Sequence, residues 1–185
     1  MTIWIESTPG FLTGRDAYGR TIVGSFDSSE IAKACADFLQ KQAPVAERKI
    51  QVKTIPNAMS VLDALDEEDL LFSIFINFYN EVGGKGLRGF YRSTKRHNSE
   101  KCKALSITVT KAVKDHTDLY YHGVYNEVQV RAPQLEALTK SRSLASGVEI
   151  GLDAEDKIQC SHPMFHKNLG DGIGTGILRH LGGKH

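Results

Sequence analysis

The chain has little cysteine, proline or tryptophan, and no excess of charge of either sign. Three cysteines in 185 residues, Cys35, Cys102 and Cys160, form an odd and widely spaced set, which excludes a disulfide framework as the source of stability. Cys35 and Cys102 fall on the apolar faces of predicted helices and read as buried structural thiols. Lysine and arginine number 23 against 22 aspartates and glutamates, so no global field draws the chain to nucleic acid or an anionic membrane. No apolar run approaches the ~20 residues that a membrane-spanning helix needs. The opening stretch M-T-I-W-I-E-S-T-P has neither a basic segment nor a long apolar one, which predicts no signal peptide and a chain that is cytoplasmic at synthesis. Repeats and low-complexity linkers are also missing. A chain of this length predicts one domain over residues 1–185 with a real hydrophobic core.

What is present is organised around Asp69–Asn77, read as D-L-L-F-S-I-F-I-N. The run is too short for a helix core and has the length and composition of a strand buried on both faces. Before it, Thr2–Ile5 predicts a short β-branched strand, followed by a loop through Gly14, Gly19 and Gly24. Asp27 and Glu30 form the pattern of a capping box, and Ile31, Cys35, Phe38 and Leu39 keep helical spacing to about Lys41. Lys49–Ile55 alternates as a strand until Pro56, and Val61, Leu62 and Leu65 suggest a short helix. After the central run come a glycine-containing turn at 81–86, a strand over Gly86–Ser93 and a long amphipathic helix over Asn98–Asp115. Strands over Val124–Val130 and Ala145–Leu152 follow, then a final helix over His162–Leu181. Helices alternating with strands predict an α/β fold, a largely parallel and partly mixed central sheet flanked by helices.

Several clusters were candidates for chemistry. Cys160, His162 and His166 offer C-x-H-x3-H, but no second ligand cluster lies nearby in sequence, so a surface loop and helix start is the plainer reading. Gly170, Gly172, Gly174 and Gly176 lack the spacing of a phosphate loop and predict close packing of the last helix against the sheet. Arg88, Arg92, Lys95, Arg96 and His97 beside Phe90 and Tyr91 read as a solvated basic turn, with no clear nucleic-acid signal. No nucleophile motif supports a serine or cysteine hydrolase.

Five short strings together resemble one family. They are Ser73-Ile74-Phe75-Ile76-Asn77, Gly147-Val148-Glu149-Ile150-Gly151-Leu152, His122-Gly123-Val124, Thr8-Pro9-Gly10-Phe11, and Pro163 with Gly174-Thr175-Gly176-Ile177. In order and spacing they resemble the zinc-dependent N-acetylmuramoyl-L-alanine amidases, the type 3-like bacterial and phage enzymes that cut peptide stems from peptidoglycan. The resemblance implies an amidase-like α/β domain in which two histidines and a glutamate would hold Zn²⁺, with a further Glu moving protons. Carried across, the two histidine positions fall on Pro9 and Phe75 and the glutamate position near Gly24, none of which can coordinate a metal through its side chain. Glu149 stands at the general-base position.

The resemblance therefore implies a degenerate member without zinc, a structural or binding module of a phage particle or cell-envelope assembly. Its partner would be a protein or a peptidoglycan-like glycan, and its oligomeric state stays open. Phe75, Asn77, Phe78 and Tyr79, near the carboxyl end of the central strand, are the expected binding positions, where an exposed apolar patch would favour a protein partner. The alternatives are an active cell-wall amidase with a relocated metal site, using Glu149 with Asp27, Glu6 or His122, and an unrelated binding domain.

Overall fold

The computed structural model describes residues 1–8, 14–15, 20–80, 84–93, 98–130, 135–153 and 156–182. Among the described residues eight strands run in chain order as β1 (Thr2–Ser7), β2 (Gly14–Arg15), β3 (Thr21–Phe26), β4 (Gln51–Ile55), β5 (Leu70–Tyr79), β6 (Gly86–Tyr91), β7 (Tyr121–Asn126) and β8 (Leu144–Asp153). The helices are α1 (Ser29–Gln40), α2 (Ala43–Glu47), α3 (Ser99–Asp115), α4 (Glu127–Val130), α5 (Glu136–Lys140), α6 (Lys157–Cys160) and α7 (Pro163–His180), with a 3-10 helix at Ala58–Ala64.

The central run becomes β5, and all ten of its residues are buried. One edge of β5 is shared by two strands placed end to end. β1 lies parallel to its first half, from Ile3 opposite Leu70 to Ser7 opposite Ile74. β3 lies antiparallel to its second half, from Phe26 opposite Ile76 to Ile22 opposite Tyr79. The other edge pairs in parallel with β8 along its whole length, Leu70 opposite Leu144 through Tyr79 opposite Asp153. Beyond β8, β6 runs antiparallel and β7 parallel to β6, while β4 extends the sheet from β1 and β2 from β3. The sheet is mixed, and helices flank it.

Burial on both faces explains why β5 is apolar at consecutive rather than alternate positions. Phe72, Ile74, Ile76 and Phe78 meet Ile31 and Leu39 of α1, Val109 of α3 and Ile173 and Ile177 of α7. Leu71, Phe75 and Tyr79 face a thinner layer that includes Ala58, Phe90, Leu135 and Leu138. The two sets differ by one residue in register, as the pleat requires.

Four expectations need correction. The segment through Gly24 is strand β3 rather than loop, because β1 ends level with Ile74 and leaves the second half of that β5 edge to be paired. Residues 124–130 do not continue as one strand: β7 ends at Asn126, whose side chain accepts from Gln129 N–H at 2.9 Å and turns the chain into α4. Asp27 closes no capping box; the N-cap is Ser28, and Asp27 accepts from Ser29 N–H at 2.9 Å. The glycines of α7 face helices, not the sheet. A Cβ at Gly170 would lie 2.7 Å from Ala34 Cβ and one at Gly174 would lie 2.4 Å from the Phe38 ring, both on α1. At Gly172 and Gly176 the obstacles are Val113 Cα at 2.9 Å and Val109 Cα at 2.4 Å, on α3. Spacing of two residues alternates the contacts between the two neighbours, so α7 is wedged between α1 and α3.

Candidate functional site

A row of three side chains crosses the sheet at its middle. Phe75 on β5 stands opposite Glu149 on β8, and Glu149 stands opposite Arg88 on β6. Cross-strand neighbours share a face, so these three point into the thinner layer together with Asn77 and Tyr79, two and four residues beyond Phe75. Glu149 is 1% exposed and Arg88 2%, so the pair is removed from water.

The Glu149 carboxylate is surrounded by donors. Its Oε1 accepts from Asn77 Nδ2 at 2.9 Å and from the Tyr79 hydroxyl, and Arg88 Nη1 stands 3.8 Å away. Arg88 is itself fixed by donating from Nη2 to the Gly84 carbonyl at 3.0 Å and by stacking 5.4 Å from the centre of the Tyr79 ring. Arg20 approaches the same ring at 5.6 Å. A buried carboxylate is tolerable only when its charge is paired and hydrogen-bonded, and here Arg88 supplies the pairing and Asn77 and Tyr79 the hydrogen bonds to Oε1.

Phe75 is fully buried, with its ring edge-to-face against Phe90 at 6.1 Å and 71°. Gly24 stands opposite Phe78, and a Cβ there would meet the Phe78 ring at 3.9 Å. It therefore faces the α1 layer, on the far side of the sheet from Phe75 and Glu149. Pro9 lies outside the described residues. Phe75, Phe78 and Tyr79 are 0%, 2% and 1% exposed, so the expected apolar surface patch is not formed by them; their rings are core, and Phe78 belongs to the opposite layer.

The carboxylates and the histidine of a relocated site are each engaged elsewhere. Glu6, 4% exposed, accepts from Ala58 N–H at 2.7 Å and from the Ser73 hydroxyl. Burial pushes its carboxyl pKa up, against the lowering effect of those two hydrogen bonds. Asp27 is exposed and holds the Ser29 amide and hydroxyl. His122 Nε2 meets the Lys85 carbonyl at 2.9 Å. Partial burial lowers the His122 pKa; the Lys85 hydrogen bond and Glu149 work against that, while Arg88 and Arg20 reinforce it.

The C-x-H-x3-H string does not converge on a metal either. His162 Nδ1 accepts from Met164 N–H at 3.2 Å, capping α7, and His166 Nε2 is bonded to the Cys160 carbonyl. The Cys160 thiol is buried, which pushes its pKa up to about 11. Among the described residues no group of three or more His, Cys, Asp or Glu could hold a metal ion. The set around Glu149 is an amide, a phenol, a guanidinium and a phenyl ring. The first three offer hydrogen-bond donors to a carboxylate and the ring offers no ligand atom, so the described residues do not fit zinc.

The reading of Arg88 and Arg92 as part of a solvated basic turn is overturned: they are 2% and 1% exposed and rank among the largest fully buried side chains. Lys95, Arg96 and His97 lie outside the described residues. Arg88 shares a face of β6 with Phe90, a core residue, and Arg92 directly follows the strand.

No protein-family model matches the sequence, and no curated protein does. Solved structures do match. An N-acetylmuramoyl-L-alanine amidase from Clostridium difficile 630 is similar over 100% of this chain and 98% of its own, with a TM-score of 0.68 at 21% identity. The catalytic domain of the amidase CwlV from Bacillus (Paenibacillus) polymyxa var. colistinus gives a TM-score of 0.70 at 14% identity, covering 99% of each chain. The CwlD amidase of Clostridioides difficile, solved in complex with the GerS lipoprotein, gives 0.62 at 13%, covering 98% of each chain. End to end, the chain has the fold of the N-acetylmuramoyl-L-alanine amidases.

Proposed function

We propose that this amidase-fold domain is catalytically degenerate and serves as a binding or structural module, in a phage particle or cell-envelope assembly, without zinc hydrolysis. One observation carries the reading. Glu149, at the general-base position, is locked in a buried pair with Arg88 and bonded to Asn77 and Tyr79, beside a phenyl ring at the position of a metal-binding imidazole. A carboxylate so held is 1% exposed, with Oε1 committed to two hydrogen bonds, and is closed to solvent water. A metal-bound water, in contrast, needs a base with a free lone pair aimed at it. The same fold in CwlD occurs in complex with a lipoprotein, which supports a protein partner beside a peptidoglycan-like glycan.

The test combines metal content with activity. Protein purified without chelators is assayed for zinc by mass spectrometry and incubated with purified cell walls, with released stem peptide as the readout. The expected result is far less than one zinc per chain and no released peptide. Stoichiometric zinc with peptide release, both lost in Glu149→Gln, would establish an active amidase with a relocated site and overturn the proposal.

A further inference from the structure

Arg88 lies on β6 and Arg92 directly follows its last residue, about 13 Å away at ~3.3 Å per residue, with Phe90 between them. They differ in one respect. Arg88 has Glu149 at 3.8 Å, whereas no carboxylate among the described residues lies within ion-pair distance of Arg92. Its Nη1 donates to the Ser141 carbonyl, the Cys102 thiol lies beside it, and its Nε has no partner among the described residues. A guanidinium does not lose its proton, so a fully buried one without a counter-charge is held at a cost that an anion would remove.

Arg92 lines a cavity of about 770 Å³, in the size range of small-molecule sites. The cavity lies at the amino ends of β5 and β8, because β6 runs antiparallel to β8 and delivers Arg92 next to their starting residues. It is thus at the opposite end of those strands from Tyr79 and Gly84. Lys140 and Arg142 add positive charge, Leu62 and Leu65 an apolar wall, and Asp63 and Glu67 negative charge. Two carboxylates on the wall disfavour a polyanion, while Arg92 and Arg142 suit a planar carboxylate.

We infer that this cavity binds a small molecule carrying both a carboxylate and an ammonium group, an amino acid or short peptide. The carboxylate meets Arg92 and Arg142, and the ammonium meets Asp63 or Glu67. The inference stands on the cavity and on Arg92, independently of whether the domain hydrolyses anything.

Glycylglycine, acetate and inorganic phosphate are the probes. Each is titrated into ¹⁵N-labelled protein while the Arg92 Nε–H resonance is followed. Glycylglycine is expected to shift that resonance saturably and to bind more tightly than acetate or phosphate. Arg142→Ala, at an exposed position, is expected to weaken binding about threefold to tenfold with the backbone spectrum otherwise unchanged. Arg92→Leu is expected to abolish it. No movement of the Arg92 signal at saturating dipeptide, or equal affinity in Arg142→Ala, would overturn the site. Tighter binding of phosphate than of the dipeptide would overturn the ligand class.

Discussion

Phe75 and Glu149 are direct partners across the parallel β5–β8 ladder, a phenyl ring and a carboxylate side by side with 0% and 1% exposure. An apolar ring offers its neighbour no hydrogen bond, so the polar contacts of Glu149 come from Arg88, Asn77 and Tyr79.

That dependence gives a stability test. Glu149→Ala leaves Arg88 buried with its nearest described anion removed, and is expected to cost about 3 to 5 kcal/mol in chemical denaturation. The double variant Glu149→Leu with Arg88→Met is expected to recover most of the loss. A base held ready for catalysis behaves in the opposite way, since its removal relieves strain; a neutral or stabilising Glu149→Ala would count against the structural pair.

Phe75→His places an imidazole where the proposed reading puts a lost metal ligand. The ring would enter a buried pocket against Phe90, with Glu149 as the neighbouring carboxylate on the same face, a side chain already bonded to Asn77 and Tyr79. The expected outcome is a loss of about 2 to 4 kcal/mol in stability and no gain in bound zinc. Zinc retained after desalting, at one per chain, would show that the remaining ligands are in place after all.

Two groups set a pH dependence. The Glu6 carboxyl is raised above its ordinary 4.5, chiefly by burial, so on alkalinisation the unfolded chain gives up this proton before the folded one does. Its contribution is full below pH 4.5 and is lost as pH rises from there through the folded value. In Glu6→Gln that fall disappears, because the amide can still accept from Ala58 N–H and donate to the Ser73 hydroxyl. His122 works in the other direction. Its folded pKa lies below the ordinary 6.5, so its contribution is present above pH 6.5 and is lost as pH falls from there through the folded value. Urea melts between pH 4 and 8, compared with Glu6→Gln and His122→Phe, separate the two slopes.

Gly176→Ala tests the wedge of α7. The new Cβ would stand 2.4 Å from Val109 Cα, which is backbone and cannot rotate away. The substitution is expected to lower stability by about 1 to 3 kcal/mol in thermal unfolding, although alanine is the better helix former. An unchanged midpoint would mean that α3 and α7 are more loosely packed than the structure has them.

How much of this was legible beforehand depended on range. β5 was readable because a strand buried on both faces leaves a continuous apolar run, and α1, α3 and α7 because a one-sided core leaves a helical period. β3 was not readable. Its segment, Thr21–Phe26, carries Gly24 and Ser25, and it becomes a strand only because β1 leaves half an edge of β5 open. Nor was the burial of Arg88 and Arg92, whose residue type and basic neighbours suggest solvent.

By itself the sequence determined the class of fold, the central strand and the residue types along it, including the phenyl at Phe75 and the carboxylate at Glu149. These are local quantities, set by hydrophobic period and composition. Tertiary structure alone decided that Gly24 faces away from Glu149, that Arg88 pairs with it and that Arg92, lining its cavity, has no carboxylate within ion-pair distance among the described residues. The physical reason is that strand register across chain separations of tens of residues, not side-chain type, determines which charges meet and which are left buried without a partner.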